Sequence, residues 1–314
     1  MVDKTPKITK CPFCRKLFNV KLIENFYFCK NCEVAIREEK DMPVFNYNKN
    51  WVKSQIDSRQ NLNRAGFTLK QIKKIPNIKT ILDIGCGTGI LVDILNRNGY
   101  LADGVDSSVD SINYAKVHRK GNFYLSSIEN FKKNRDYDLI IATQLIEHLR
   151  DPNIFLLNVK RILRPKGYLY IETPNLNSWS KKSIWRRRIG GMYYGKDHRI
   201  LYTNKSLTNL LRNNSFVIYK VFSKTFSPTI LVETAYTSIF TFRKKSEFLE
   251  KPSIINPPIN RENKNLFINI LKKIYEQTKD SFIINMILFI PNKISGINSR
   301  GNQLIVIARN NNNE

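Results

Sequence analysis

With 314 residues the chain is long enough for one large α/β domain and small additions, and a core of that size needs no disulfides. No apolar segment follows the charged start from Met1 to Lys10, and no run of about 18 apolar residues occurs, so the sequence argues against export and membrane spanning and predicts a soluble, cytoplasmic protein. Lys and Arg outnumber Asp and Glu 52 to 26, a formal net charge of +26 that suits an anionic substrate, acidic lipid or nucleic acid, although abundant Asn and Ile fit a genome-wide composition bias equally well.

Four of the five cysteines come first, as Cys11-Pro12-Phe13-Cys14 and Cys29-Lys30-Asn31-Cys32. Two such knuckles on hairpin turns bring four thiolates into a tetrahedron around Zn²⁺, and the segment between them suits a short β-hairpin. Phe13, Phe18, Phe26, Tyr27 and Phe28 would form its small core, with metal binding contributing most of the folding energy. A redox pair is the alternative, and no βαβ pattern surrounds either knuckle to support it. Four protein ligands leave no position for a reactive water, so the expected ion is structural. Residues 1–40 are assigned to this zinc ribbon.

Residues 41–76 read as a connector with Phe45, Tyr47 and Trp51, followed by a helix over 52–75. There Ile56, Leu62, Ala65, Leu69, Ile72 and Ile75 recur at helical spacing, and Pro76 stops the pattern. From residue 77 to 225, short apolar strands alternate with amphipathic helices, the pattern of a parallel sheet covered on both faces. Strands are predicted at 80–84, 102–105, 123–125, 139–142, 168–172, 216–222 and 304–308. The clearest helix spans 153–163, between Asp151-Pro152 and Arg164-Pro165-Lys166-Gly167. A shorter one covers 204–211. Residues 226–302 read as a helical insertion, either a lid or a dimer surface, with a helix at 265–278 and an apolar segment at 282–291.

The first core strand runs into Gly85-Cys86-Gly87-Thr88-Gly89, where glycines permit tight turns and close approach of a ligand. Two details separate this loop from a dinucleotide site. Its spacing is G-x-G-x-G, and Asp83 at the strand end would oppose a pyrophosphate but suit a cation. Asp106 closes the second strand, near the interval at which a carboxylate takes ribose hydroxyls. A ligand with a ribose and a cationic amino acid portion fits both; S-adenosylmethionine is one.

These residues, together with Gly104-Val105-Asp106-Ser107, Tyr137-Asp138-Leu139-Ile140, Glu147-His148-Leu149 and Leu163-Arg164-Pro165-Lys166-Gly167, resemble the class I S-adenosylmethionine-dependent methyltransferases. Within them the likeness is to the subgroup holding ubiquinone-pathway enzymes and the small-molecule and sugar methyltransferases of bacterial glycan clusters. The resemblance implies a Rossmann-like, mostly parallel seven-strand sheet with helices on both faces and an antiparallel last strand at 303–310. It also implies that the loop Asp83, Gly85, Cys86, Gly87 and Gly89 holds the methionine end and that Asp106, with Ser107, holds the ribose. Ser127 and Ile128 would lie at the adenine, with Ser127 standing where an acidic residue is usual. Thr143 and Gln144 would line the sulfonium, Gln144 replacing a common Asp. Cys86 also reads as packing.

Three histidines supply few candidate bases. His118 lies at an exposed helix end. His148, beside Glu147, follows the fourth core strand and serves either as base or as a structural imidazole bonded to backbone. His198, in Gly195-Lys196-Asp197-His198-Arg199, is the preferred base. The basic loop with Trp179, Trp185 and Arg186 to Arg188 suits an anionic acceptor, or is simply a solvated cationic loop. The expected reaction is O- or C-methylation of a small molecule such as a sugar or nucleotide-sugar. The alternative is an RNA methyltransferase, and a third reading is a non-enzymatic binding subunit.

Overall fold

A computed structural model describes residues 10–18, 20–21, 26–37, 49–56, 58–132, 136–178, 197–224 and 302–311. The predicted basic loop with Trp179 and Trp185, the segments at 265–278 and 282–291, and Phe45 and Tyr47 lie outside them. At the front, β1 (Val20–Lys21), β2 (Phe26–Cys29) and β3 (Val34–Arg37) form an antiparallel meander. Arg15 and Glu33, the residues after Cys14 and Cys32, both take positive φ, 61° and 56°. Their amides donate to the carbonyls of Cys11 and Cys29, each at 2.8 Å, so the two knuckles share one turn geometry.

The single helix expected over 52–75 is two, α1 (Lys49–Gln55) and α2 (Arg59–Ile72). Ser58 makes the break: its backbone leaves the helical region and its hydroxyl accepts from the Asn61 amide at 3.2 Å, an N-cap that apolar periodicity does not register. The core then runs β4 (Thr80–Ile84), α3 (Ile90–Arg97), β5 (Leu101–Asp106), α4 (Val109–His118), β6 (Asn122–Leu125), β7 (Tyr137–Thr143), a 3-10 turn (Ile146–His148), α5 (Pro152–Ile162) and β8 (Leu163–Pro174). It closes with β9 (Ile200–Tyr202), α6 (Asn204–Asn213), β10 (Phe216–Lys224) and β11 (Gln303–Asn310). All seven predicted core strands form. β8 starts earlier than expected because Leu163 already pairs with Tyr137, so the chain passes from α5 directly into strand.

The large sheet has the order β10-β11-β8-β7-β4-β5-β6. β8, β7, β4, β5 and β6 are mutually parallel, and β11 inserts antiparallel between β8 and β10. The order in which strands are added reverses at β4, flanked by β5 and β7, so its C-terminal end is the crevice where open α/β sheets bind ligands. Alternate side chains go to opposite faces. Leu82, Ile140 and Leu169 join α5 and α6 on one, and Ile81, Leu139 and Tyr170 join α2, α3 and α4 on the other. Asp138 anchors the opposite end of β4, accepting from the amides of Lys79 and Thr80 at 2.9 and 2.8 Å. Among the described residues no helix is long and apolar enough to cross a membrane.

One strand was not expected. β9 pairs antiparallel with β3, which makes the cysteine hairpin part of a four-stranded sheet, β1-β2-β3-β9, whose last strand comes from the core.

Candidate functional site

The loop after β4 holds its shape through the backbone. Gly85, Gly87 and Gly89 have φ of 73°, 51° and 76°, and a Cβ on Gly89 would lie 2.6 Å from the Phe123 ring. Gly85 and Cys86 donate to Val105 O at 2.8 and 3.2 Å, tying the turn to β5. The Asp106 carboxylate accepts from the Gly87 amide at 2.8 Å with one oxygen and from the Ser108 amide at 2.8 Å with the other. Its first task is therefore to set the loop against the start of α4.

This loop forms one wall of a cleft of about 180 Å³. Asp83, Gly85, Cys86 and Gly87 line it on one side, Thr143 and Gln144 at the end of β7, and Arg64, Ala65 and Thr68 of α2 on the other. Asp83 is buried and, among the described residues, its Oδ1 has no hydrogen-bond partner. Burial, then the neighbouring Asp106 charge, pushes its carboxyl up to about 8. Across the cleft, Arg64 Nε donates to Glu172 Oε1 at 2.6 Å, and Glu172 is wholly buried. The cleft thus carries a buried carboxyl and a guanidinium, the latter already paired with Glu172. Gln144 adopts φ of 53°, its amide donating to Glu172 O at 2.8 Å and its Nε2 to Gln303 Oε1 at 2.7 Å, which fixes this wall.

The remaining predicted cofactor residues stand outside the cleft lining. Ser107 is exposed, Ser127 half-buried, and Ile128 packs in the core beside Phe131.

A second cluster gathers the predicted acceptor-side groups. Glu147, His148 and His198 offer ligand atoms all within 4.8 Å of one another, although His198 is 50 residues further along the chain. Glu147 is fully buried; Thr173 Oγ1 donates to its Oε2 at 2.9 Å, while Oε1 has no hydrogen-bond partner among the described residues and lies 3.9 Å from His148 Nε2. Burial raises the Glu147 carboxyl to about 7, against the lowering influence of His148. His148 Nδ1 sits 3.2 Å from Asp197 O and 3.3 Å from Asp197 Oδ2, so the backbone contact foreseen for a structural imidazole is present. The rings of His148 and His198 meet edge-on with centroids 4.9 Å apart. Burial and then His148 push the His198 imidazole down to about 4, which keeps it neutral at physiological pH. A carboxyl near 7 beside the neutral His198 imidazole can take up and pass on a proton.

At the front, Cys11 and Cys32 sulfurs are 3.9 Å apart and Cys14 and Cys29 sulfurs 3.6 Å apart, with all four within 4.8 Å. A tetrahedron with Zn–S of about 2.3 Å has sulfurs about 3.8 Å apart, so the spacing fits that ion. It is far too long for a disulfide, and all five cysteines are free. Burial pushes the Cys11 thiol up to about 11, a cost that a bound cation would reverse.

A family model described as a methyltransferase domain matches residues 54–221, more than half of the chain. The chain belongs to the methyltransferase-domain family. The matched span includes every motif from Ile81 to Gly167 on which the resemblance rested. The chain is similar to a ubiquinone biosynthesis O-methyltransferase of Hydrogenovibrio crunogenus, 33% identical over 116 residues that cover 35% of this chain and 48% of the relative. To the protein of the same description from Bradyrhizobium diazoefficiens it is 29% identical over 160 residues, covering 47% and 62%. It spans less than two thirds of either relative. In fold alone it resembles a chain of the solved complex containing the Haloferax volcanii Trm112 methyltransferase activator, with a TM-score of 0.50, 15% identity, and coverage of 88% of this chain and 100% of that one.

Sequence reasoning missed Arg64, Glu172 and Gln303. Glu172 carried a signal, being a lone charge in an otherwise apolar strand; Arg64 had none beyond lying on a polar face of α2.

Proposed function

We propose that the chain is an S-adenosylmethionine-dependent methyltransferase that methylates a hydroxyl of a small-molecule acceptor, a sugar or related metabolite with an anionic group. The observation that carries this reading is the buried Asp83 with an unpartnered oxygen, set at the crevice end of β4 inside a glycine loop and opposite Arg64. When bound, the donor supplies a methyl carbon already activated by a sulfonium. The protein's work is then to orient two reactants and remove one proton. Asp83 would hold the ammonium and Arg64 the carboxylate of the amino acid portion, with Gln144 and Thr143 beside the reacting carbon and Asp106 near the ribose. Glu147, His148 and His198 would receive the acceptor proton, His198 being the first candidate. Cys11, Cys14, Cys29 and Cys32 would hold a structural Zn²⁺.

Calorimetric titration with S-adenosylhomocysteine tests the donor site: wild type should bind and Asp83→Asn should bind at least about tenfold more weakly, the loss of one charged hydrogen bond. Transfer of a labelled methyl group is then measured across sugars, nucleotide-sugars, quinol precursors and RNA. Methylation of RNA alone, or absence of S-adenosylhomocysteine binding, overturns the reading. In the same assay His198→Ala should lower turnover while leaving donor binding in place; equal loss of both would make His198 a folding residue.

A further inference from the structure

The cysteine hairpin reaches the Glu147 cluster through one continuous backbone ladder. β3 begins two residues after Cys32 and pairs with β9 as Val34 with Tyr202, Ala35 with Leu201 and Ile36 with Ile200. Just beyond the last pair, the Arg37 amide donates to Arg199 O at 2.9 Å, and the Arg199 amide donates to Glu147 O at 2.8 Å. His198 and Asp197, which contact His148, directly precede Arg199. On the other edge of β9, the Leu176 amide donates to Tyr202 O at 2.8 Å. A side-chain tie runs in parallel: Lys205 Nζ of α6 donates at 2.9 Å to Glu33, the residue after Cys32.

β9 has three residues, and a strand that short keeps its shape only between neighbours. One neighbour is β3, which belongs to a unit too small to order itself by apolar burial and therefore dependent on its metal. Val34 and Ala35 are buried against β9, so little else replaces them if the hairpin opens.

We propose that metal loading of the four-cysteine hairpin positions the acceptor-side histidines: ordered β3 templates β9, and β9 seats His198 against His148 and Glu147. Arg37, through its amide, is a positioning residue for that cluster. The inference rests on the reading of Glu147, His148 and His198 as the acceptor-side group. The zinc-free hairpin would leave the donor cleft standing, because the cleft is built from α2, β4, β7 and the glycine loop.

Two variants of the full chain separate metal from ladder. Cys29→Ser with Cys32→Ser removes two ligands, and Arg37→Pro keeps all four cysteines but deletes the amide that donates to Arg199. Amide hydrogen exchange should accelerate by about tenfold or more at residues 199, 201 and 202 in both variants, with residues 81–84 unchanged. The His198 ring should then titrate near the ordinary histidine range of about 6.5 instead of about 4, as it loses first its burial and then the lowering influence of His148 and Arg37, which together outweigh the loss of Asp197. Zinc content should fall in the double variant and stay at the wild-type level in Arg37→Pro. Unchanged protection of residues 199–202 in Arg37→Pro, or in a zinc-free double variant whose sheet remains protected, overturns the proposal. S-adenosylhomocysteine binding is followed in the same samples. Its absence in wild type would overturn the donor reading and leave the exchange data to decide the coupling.

Discussion

Around the four thiolates only a few side chains, among them Phe26, Val34 and Ala35, are buried, whereas every strand from β4 to β8 contributes buried side chains to a core on both faces of the large sheet. The hairpin brings four thiolates within 4.8 Å of one another, a set that suits a cation. The sheet has apolar burial to spare and keeps two costly carboxyls, Asp83 and Glu147, at the ends of β4 and β7. The two regions differ in means: the large one carries buried carboxyls whose burial raises their pKa, and the small one gathers four sulfurs at a spacing that fits a metal ion.

The largest expected effect breaks the small region alone. Cys29→Ser with Cys32→Ser should take zinc from one ion per chain to none by elemental analysis, forfeiting a binding free energy on the order of 10 kcal/mol, with far-UV circular dichroism of the sheet and helices largely kept. A wholesale loss of the dichroism signal would mean that the two regions fold as one. Next, Leu82→Ala at a fully buried position of β4 should lower the free energy of unfolding in urea by about 2–5 kcal/mol with zinc content unchanged. A loss well under that would place the stability of the sheet somewhere other than its apolar core.

Asp83→Asn should act in the opposite direction. The carboxyl is held at about 8 in the fold against 3.8 when unfolded, so between those values the unfolded chain has released a proton that the fold still holds, and stability declines as pH rises from about 4 to about 8. The asparagine variant should lack that decline and be more stable near pH 8, by on the order of a few kcal/mol, while binding donor less well. Parallel stability–pH curves for the two proteins would show that Asp83 is not held neutral. The smallest effect is Ser58→Ala, which removes the cap of α2 and should cost about 1 kcal/mol in thermal or urea unfolding. A loss of donor affinity beyond that would show that the capped end of α2 also shapes the cleft.

Local patterns made much of this legible before any coordinates. Apolar runs with turn residues between them located all seven core strands, because a strand buried on both faces has few polar choices. The glycine spacing with Asp83 and Asp106 identified the ligand-binding end of β4, since backbone angles and a strand-end carboxylate are written within a few residues. The cysteine spacing foretold the four-sulfur cluster for the same reason. What depends on partners far along the chain was not readable. The break before α2 turned on one capping hydroxyl. Asp106 also ties the glycine loop to α4, and Ile128 packs beside Phe131, contacts set by residues from other elements.

By itself, then, the sequence determined the family motifs, the strand and helix order and the four thiolates, each a pattern confined to a short segment. Only the tertiary structure decided that β3 of the hairpin pairs with β9 of the core, that Arg64 of α2 faces Asp83 across the cleft, and that His198 meets Glu147 and His148. Those juxtapositions arise from sheet pairing and helix packing between segments tens to more than a hundred residues apart, where spacing along the chain carries no information about distance in space.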